Sequence, residues 1–168
     1  AGKHLRRECL IDFKKVNVLN GKPRFLDRFF NRSNRGGRVP FWTMRIGGEC
    51  NDAPERIAAA ALAGLGRVEI LVNNAGGSRK FKLDTDEAQW NEAMTLNFTR
   101  QRQLTHRLLE QMLARNWGRI VSITGKSEPE GINGAFCAKA AMHSWSKGLS
   151  REIGKHGITV NCIPPGRI

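Results

Sequence analysis

The side chains with chemical potential gather in a few short stretches. Asn73-Asn74-Ala75-Gly76 sets carboxamides beside a residue without a side chain. Lys139 stands in Ala138-Lys139-Ala140-Ala141, an ammonium flanked by methyl groups. Asn97 falls seven residues after Trp90 on a helical stripe, and Pro165-Gly166-Arg167-Ile168 makes a bend. Carboxamides, an ammonium and accessible backbone hold the oxygens of polar ligands, but they do not name a reaction. Other chemistries are poorly supplied. Cys9, Cys50, Cys137 and Cys162 form no CxxC pair and no metal-ligand spacing, so neither a metal nor a disulfide framework is expected. The chain contains no tyrosine, hence no phenolic acid. Gly21, Gly36-Gly37 and Gly47-Gly48 lack the spacing of a phosphate-cradling loop, and no strand and helix flank them.

The elements that must position these groups are legible from residue 51 onward. Asp52 is an expected N-cap, with Pro54 and Glu55 in the first turn and an alanine-rich helix over 57–65 closed by Gly64 and Gly66. Residues 68–72 read as a buried strand, ended by the Asn73 loop. Thr85 or Asp86 caps a long helix to about residue 115, its stripe formed by Trp90, Met94, Asn97, Leu104, Leu108 and Met112. A strand over 119–124, a loop over 125–134, a helix over 135–153 and a strand over 158–163 follow. Apolar strands alternating with helices predict an α/β fold on a parallel sheet. Ligands bind at the carboxyl ends of such strands, so the loops that begin at Asn73, Gly125 and Pro164 should converge on one cleft.

The first third has a different character. The whole chain, 168 residues with 40% hydrophobic and 26% charged content, fits one globular domain. Its net charge of +13 is uneven: residues 1–49 carry 12 Lys and Arg against 4 Asp and Glu, whereas residues 50–168 carry 16 against 11. Residues 1–49 show no sustained period, apart from Leu10, Ile11, Phe13, Val16 and Val18, which form one short strand or helical turn. Phe25, Phe29 and Phe30 lie among Lys22, Arg24, Arg28 and Arg32, a mixture that can stack on single-stranded nucleic acid. The simpler reading is a basic arm whose aromatics cover the neighbouring core, and nucleic acid is not expected as a partner. The expected division is therefore 1–50, an atypical basic segment, and 51–168, the α/β unit. No apolar run reaches 18 residues and no signal-peptide core opens the chain, so the cytoplasm is expected and no membrane.

Taken together with Gly157-Ile158-Thr159-Val160-Asn161, these motifs make residues 51–168 similar to the short-chain dehydrogenase/reductase family, nearest its 3-oxoacyl-acyl-carrier-protein reductase branch. The resemblance implies a Rossmann-like, three-layer parallel sheet with helices on both faces. Here it would be incomplete, with the first βαβ unit and the C-terminal strand missing or altered. It implies hydride transfer between NADP or NAD and a small carbonyl or acyl-thioester substrate. Asn73, Ala75 and Gly76 match the motif that supports the sheet beside the adenine ribose. Asn97 matches the asparagine that holds a water in a proton relay. Lys139 matches the lysine that binds the nicotinamide ribose and lowers a neighbouring tyrosine's pKa. Pro165, Gly166 and Ile168 match the turn facing the nicotinamide carboxamide. The helices over 86–115 and 135–153 match the family's homo-oligomer contact.

The departures are as specific. The family's tyrosine, four residues before the lysine, is Ala135 here, and its serine is Gly125, with Thr124 and Ser127 as neighbours. Ser127 is carried as the candidate catalytic hydroxyl, and His143, one turn past Lys139, as a surrogate acid. The glycine-rich pyrophosphate turn has no match before Asn73, as a frame-shifted or mis-assembled upstream coding region would leave it. Two alternatives to an oxidoreductase stand: a non-catalytic dimerisation module of the same fold, and a nucleic-acid binder through residues 3–45.

Overall fold

Val68, Leu71, Ile120 and Ile158 are almost wholly withdrawn from water, and the elements they belong to explain why. A computed structural model describes residues 16–19, 52–125 and 128–165. Strand β1 is Val16–Leu19. Helix α1, Ala53–Leu65, is followed by β2, Ile70–Asn73. Helix α2, Glu87–Met94, runs through a π-helical turn at Thr95–Thr99 into α3, Arg100–Leu113. Strand β3 is Gly118–Ile123, helix α4 is Gly134–Ile153, and a 3₁₀ turn at Gly154–His156 leads into β4, Ile158–Ile163.

The sheet order is β1-β2-β3-β4. Strands β2, β3 and β4 are parallel in the register Leu71↔Ile120 and Ile120↔Val160, while β1 pairs antiparallel with β2 from Val16↔Asn73 to Leu19↔Ile70. The reversed direction of β1 lies beyond what the sequence pattern conveyed. Because the sheet alternates faces, Leu71, Asn73, Ile120, Ser122 and Ile158 share one side. That side is buried against Leu104, Leu108 and Met112 of α3, with Ile57, Ala58 and Ala61 of α1 packed behind. On the opposite side Thr159, Asn161 and Ile163 of β4 are exposed. The incomplete α/β Rossmann-like fold is as expected; of the helices expected on both faces, those described lie on the buried one.

The local signals fall close to expectation. Asp52 precedes α1 but its side chain caps nothing; its carbonyl accepts from Arg56 N–H. Gly66 closes α1 at φ +70° and Asp86 caps α2 through Gln89 N–H at 2.8 Å. Asn133 caps α4, its Oδ1 accepting from Ala135 N–H at 2.9 Å. Gly157 turns the chain into β4 at φ +68°, with the Asn116 carbonyl 2.6 Å from where a Cβ would stand, so no other residue fits.

Candidate active site

The carboxyl ends of β2 and β3 converge with the first turns of α4. They enclose a cleft of about 290 Å³ lined by Gly76, Asn97, Thr124, Gly125, Ala135 and Lys139, among others. The described residues of the third loop, Pro164 and Pro165, do not line the cleft. Each wall has a physical reason for its position.

On the β2 side, the buried Asn73 carboxamide donates to Thr105 Oγ1 at 3.0 Å and to Ser122 Oγ at 3.4 Å, tying the strand end to α3 and β3. The loop beyond it is held from α3: Gln101 Nε2 donates to the Ala75 carbonyl. Asn97 then clamps Gly77, accepting from its N–H at 3.1 Å and donating to its carbonyl at 2.9 Å. The same Nδ2 donates to Ala93 O at 2.9 Å. With Ala93 O serving the side chain, the backbone widens here into i→i−5 bonding, as Arg100 N–H to Thr95 O shows. Gly76 leaves the room that the clamp needs: a Cβ there would sit 2.8 Å from Asn97 Oδ1 and 3.5 Å from Lys139 Nζ.

On the α4 side, Lys139 Nζ donates to the Ile123 carbonyl at 2.8 Å. Burial lowers its pKa to about 8, a change opposed by the Cys162 thiol on β4. The start of α4 is pinned by Asn133, whose Nδ2 donates to Ser78 Oγ at 2.8 Å, and by Gly134, where a Cβ would meet Ala93 and Phe81 at 2.7 Å. Two hydroxyls line the cleft among the described residues. That of Ser78 is engaged by Asn133, whereas Thr124 Oγ1 is buried without a partner.

Of the expected site residues, Gly76, Asn97 and Lys139 line this cleft, whereas Asn73 and Ala75 are buried behind it, bonded to α3 and β3. Pro165 is exposed just beyond β4. Ser127, Gly166 and Ile168 lie outside the described residues. His143 does not line the cleft; it lines a neighbouring groove with Phe136, Cys137 and Ile132. Sequence reasoning passed over Gly77 and Gln101, although Gln101 falls four residues after Asn97, on the same face of the helix.

Comparison with known proteins shows the family of the chain. Residues 30–168 match the family model described as short chain dehydrogenase. The chain belongs to the short-chain dehydrogenase family. It is 39% identical over 110 residues to nodulation protein G of Azospirillum brasilense, covering 63% of this chain and 45% of that protein. It is 33% identical over 118 residues to the 3-oxoacyl-(acyl-carrier-protein) reductase of Escherichia coli K12, covering 68% and 48%. A short-chain dehydrogenase structure from Streptomyces avermitilis superposes with a TM-score of 0.68 at 31% identity, covering 73% of this chain and 47% of that one. The chain thus spans about half the length of the curated relatives it matches. Ala135 and Gly125, which line the cleft, each bring no hydroxyl to it. Among the described residues no helix is long and apolar enough to cross a membrane.

Proposed function

We propose that this chain carries the nicotinamide end of an oxidoreductase site that interconverts a carbonyl and an alcohol using NADP or NAD, and that it turns over slowly. The observation that carries this reading is the meeting of Lys139 Nζ, the Asn97 carboxamide and Gly76 at the strand ends. The ribose end of a dinucleotide fits these residues: Gly76 opens the backbone, and the Lys139 ammonium supplies N–H donors for ribose hydroxyls. When bound, the nicotinamide gives or takes the hydride. Asn97 spends both N–H donors and one lone pair on Gly77 and Ala93, leaving its remaining Oδ1 lone pair for a water. Pro165, Gly166 and Ile168 would face the carboxamide, and Asn73 and Ala75 hold the loop shape.

The slow turnover follows from Ala135 and Gly125. With no phenol and no serine there, protonation falls to Ser127, to the Thr124 hydroxyl or to water, which costs about 10²–10⁴-fold in rate. An acyl thioester is the favoured substrate, given the reductase relatives and a net charge of +13 suited to an acidic carrier. A second copy of the chain is the proposed partner, through the stretch 86–115 and the α4 face where Trp145 and Phe98 meet edge to face, half-buried, at 6.4 Å.

The test is titration of the chain with NADPH and NADH, following its four tryptophans, then deuteride transfer to an acetoacetyl thioester. Saturable binding with slow, stereospecific transfer is expected. No saturable binding of either nucleotide overturns the reading.

A further inference from the structure

Lys139 is placed to react as well as to bind. The hydrogen bond to the Ile123 carbonyl at 2.8 Å fixes its nitrogen at the floor of the cleft. Gly125, where a Cβ would stand 3.7 Å from the Phe136 ring and 3.9 Å from Lys139 Cγ, adds no side chain beside the lysine arm. Ala135, one turn earlier on α4, adds a methyl group. The space of about 290 Å³ left between them and Gly76 accommodates a small organic carbonyl compound. Among the described residues, none that lines this cleft carries a carboxylate to hold the ammonium in its protonated form. Desolvation outweighs the opposing influence of Cys162, and a value of about 8 against the ordinary 10.5 raises the free-amine fraction at pH 7 by about 300-fold.

We propose that Lys139 captures small aldehydes and ketones in this cleft as a Schiff base. The amine lone pair adds to the carbonyl carbon, forming an N–C bond, while the carbonyl oxygen takes a proton and becomes a hydroxyl. The C–O bond then breaks and an N=C bond forms. One water leaves, made of that oxygen and the two hydrogens lost by the amine. The step is redox-neutral and needs no nucleotide. Asn97 Oδ1, across the cleft by Gly76, is the acceptor for the hydroxyl of the addition intermediate.

The experiment exposes the whole chain at pH 7 to butanal and sodium cyanoborohydride without nucleotide, and maps the butylated lysines by peptide mass spectrometry. Lys139 is expected to label at least about tenfold faster than the exposed Lys147 and Lys155, which serve as controls within the same molecule. Gly125→Val, which narrows the cleft and leaves the amine in place, is expected to lower the Lys139 rate; the ratio within the unaltered chain decides the matter if that variant does not fold. Equal labelling of the three lysines overturns the proposal. Labelled Lys139 without nucleotide binding overturns only the oxidoreductase reading, and nucleotide binding with equal labelling overturns only this one.

Discussion

The Asn97 carboxamide closes a two-bond clamp on the Gly77 backbone, at 3.1 Å to its N–H and 2.9 Å to its carbonyl. Since a Cβ on Gly76 would stand 2.8 Å from Asn97 Oδ1, closer than real Cβ contacts come, Gly76→Ala must open the clamp or shift the loop. The expected cost is about 1–3 kcal/mol of stability, with nucleotide affinity reduced about tenfold or more. Chemical denaturation and the fluorescence titration check the two halves. Unchanged affinity would mean that the clamp does not shape the binding surface.

Restoring hydroxyls to the cleft should restore rate. Ala135→Tyr combined with Gly125→Ser is expected to raise turnover on a 3-oxoacyl thioester by about 10²–10⁴-fold, with little change in nucleotide affinity. Steady-state kinetics on the double variant and both single variants provides the measurement.

The Lys139 ammonium costs stability that pH can return. Its folded pKa, about 8, lies below the ordinary value of 10.5, so between these values the unfolded chain binds more protons and stability rises with pH. Lys139→Met, which removes the charge, is expected to raise Tm at pH 7 by about 2–6 °C, the gain fading above pH 10. A gain that is independent of pH would assign the effect to packing alone.

The Asn73 junction gives a stability prediction remote from the cleft's chemistry. Thr105→Val removes the 3.0 Å acceptor of a buried amide and should cost about 1–3 kcal/mol. Ser122→Ala, which breaks the longer 3.4 Å contact, should cost less. Urea midpoints at constant m-value compare them.

The sequence conveyed the fold most fully where burial and period coincide. Leu104, Leu108 and Met112 repeat on one helical face because they all meet the same sheet, and α3 lies where that stripe predicts. Helix α4 begins one residue before its expected start, and β4 matches its expected span 158–163. The long helix over 86–115 is continuous, but its π turn at Asn97 was hidden. At that turn Asn97 also bonds Gly77, twenty residues away, and no local periodicity encodes such a partner. Direction was hidden too: Val16 and Val18 mark a strand, but nothing in their spacing states whether it runs with or against β2. In the site, Lys139 and Asn97 were legible by type and position. The exclusion of His143 was not, since which helix positions line the cleft is decided only once α4 is seated against the strand ends.

The antiparallel pairing of β1 has a bearing on handling the protein. Ile70-Leu71-Val72-Asn73 is short, apolar and uncharged, and the four partners from Val16 to Leu19 satisfy its outer row of amides and carbonyls. A version trimmed past Leu19 would bare that row, an invitation to intermolecular strand addition. Such a version should precipitate or form thioflavin-positive fibres at concentrations where the longer chain remains dispersed, and a lysine introduced at Val72 should suppress this growth.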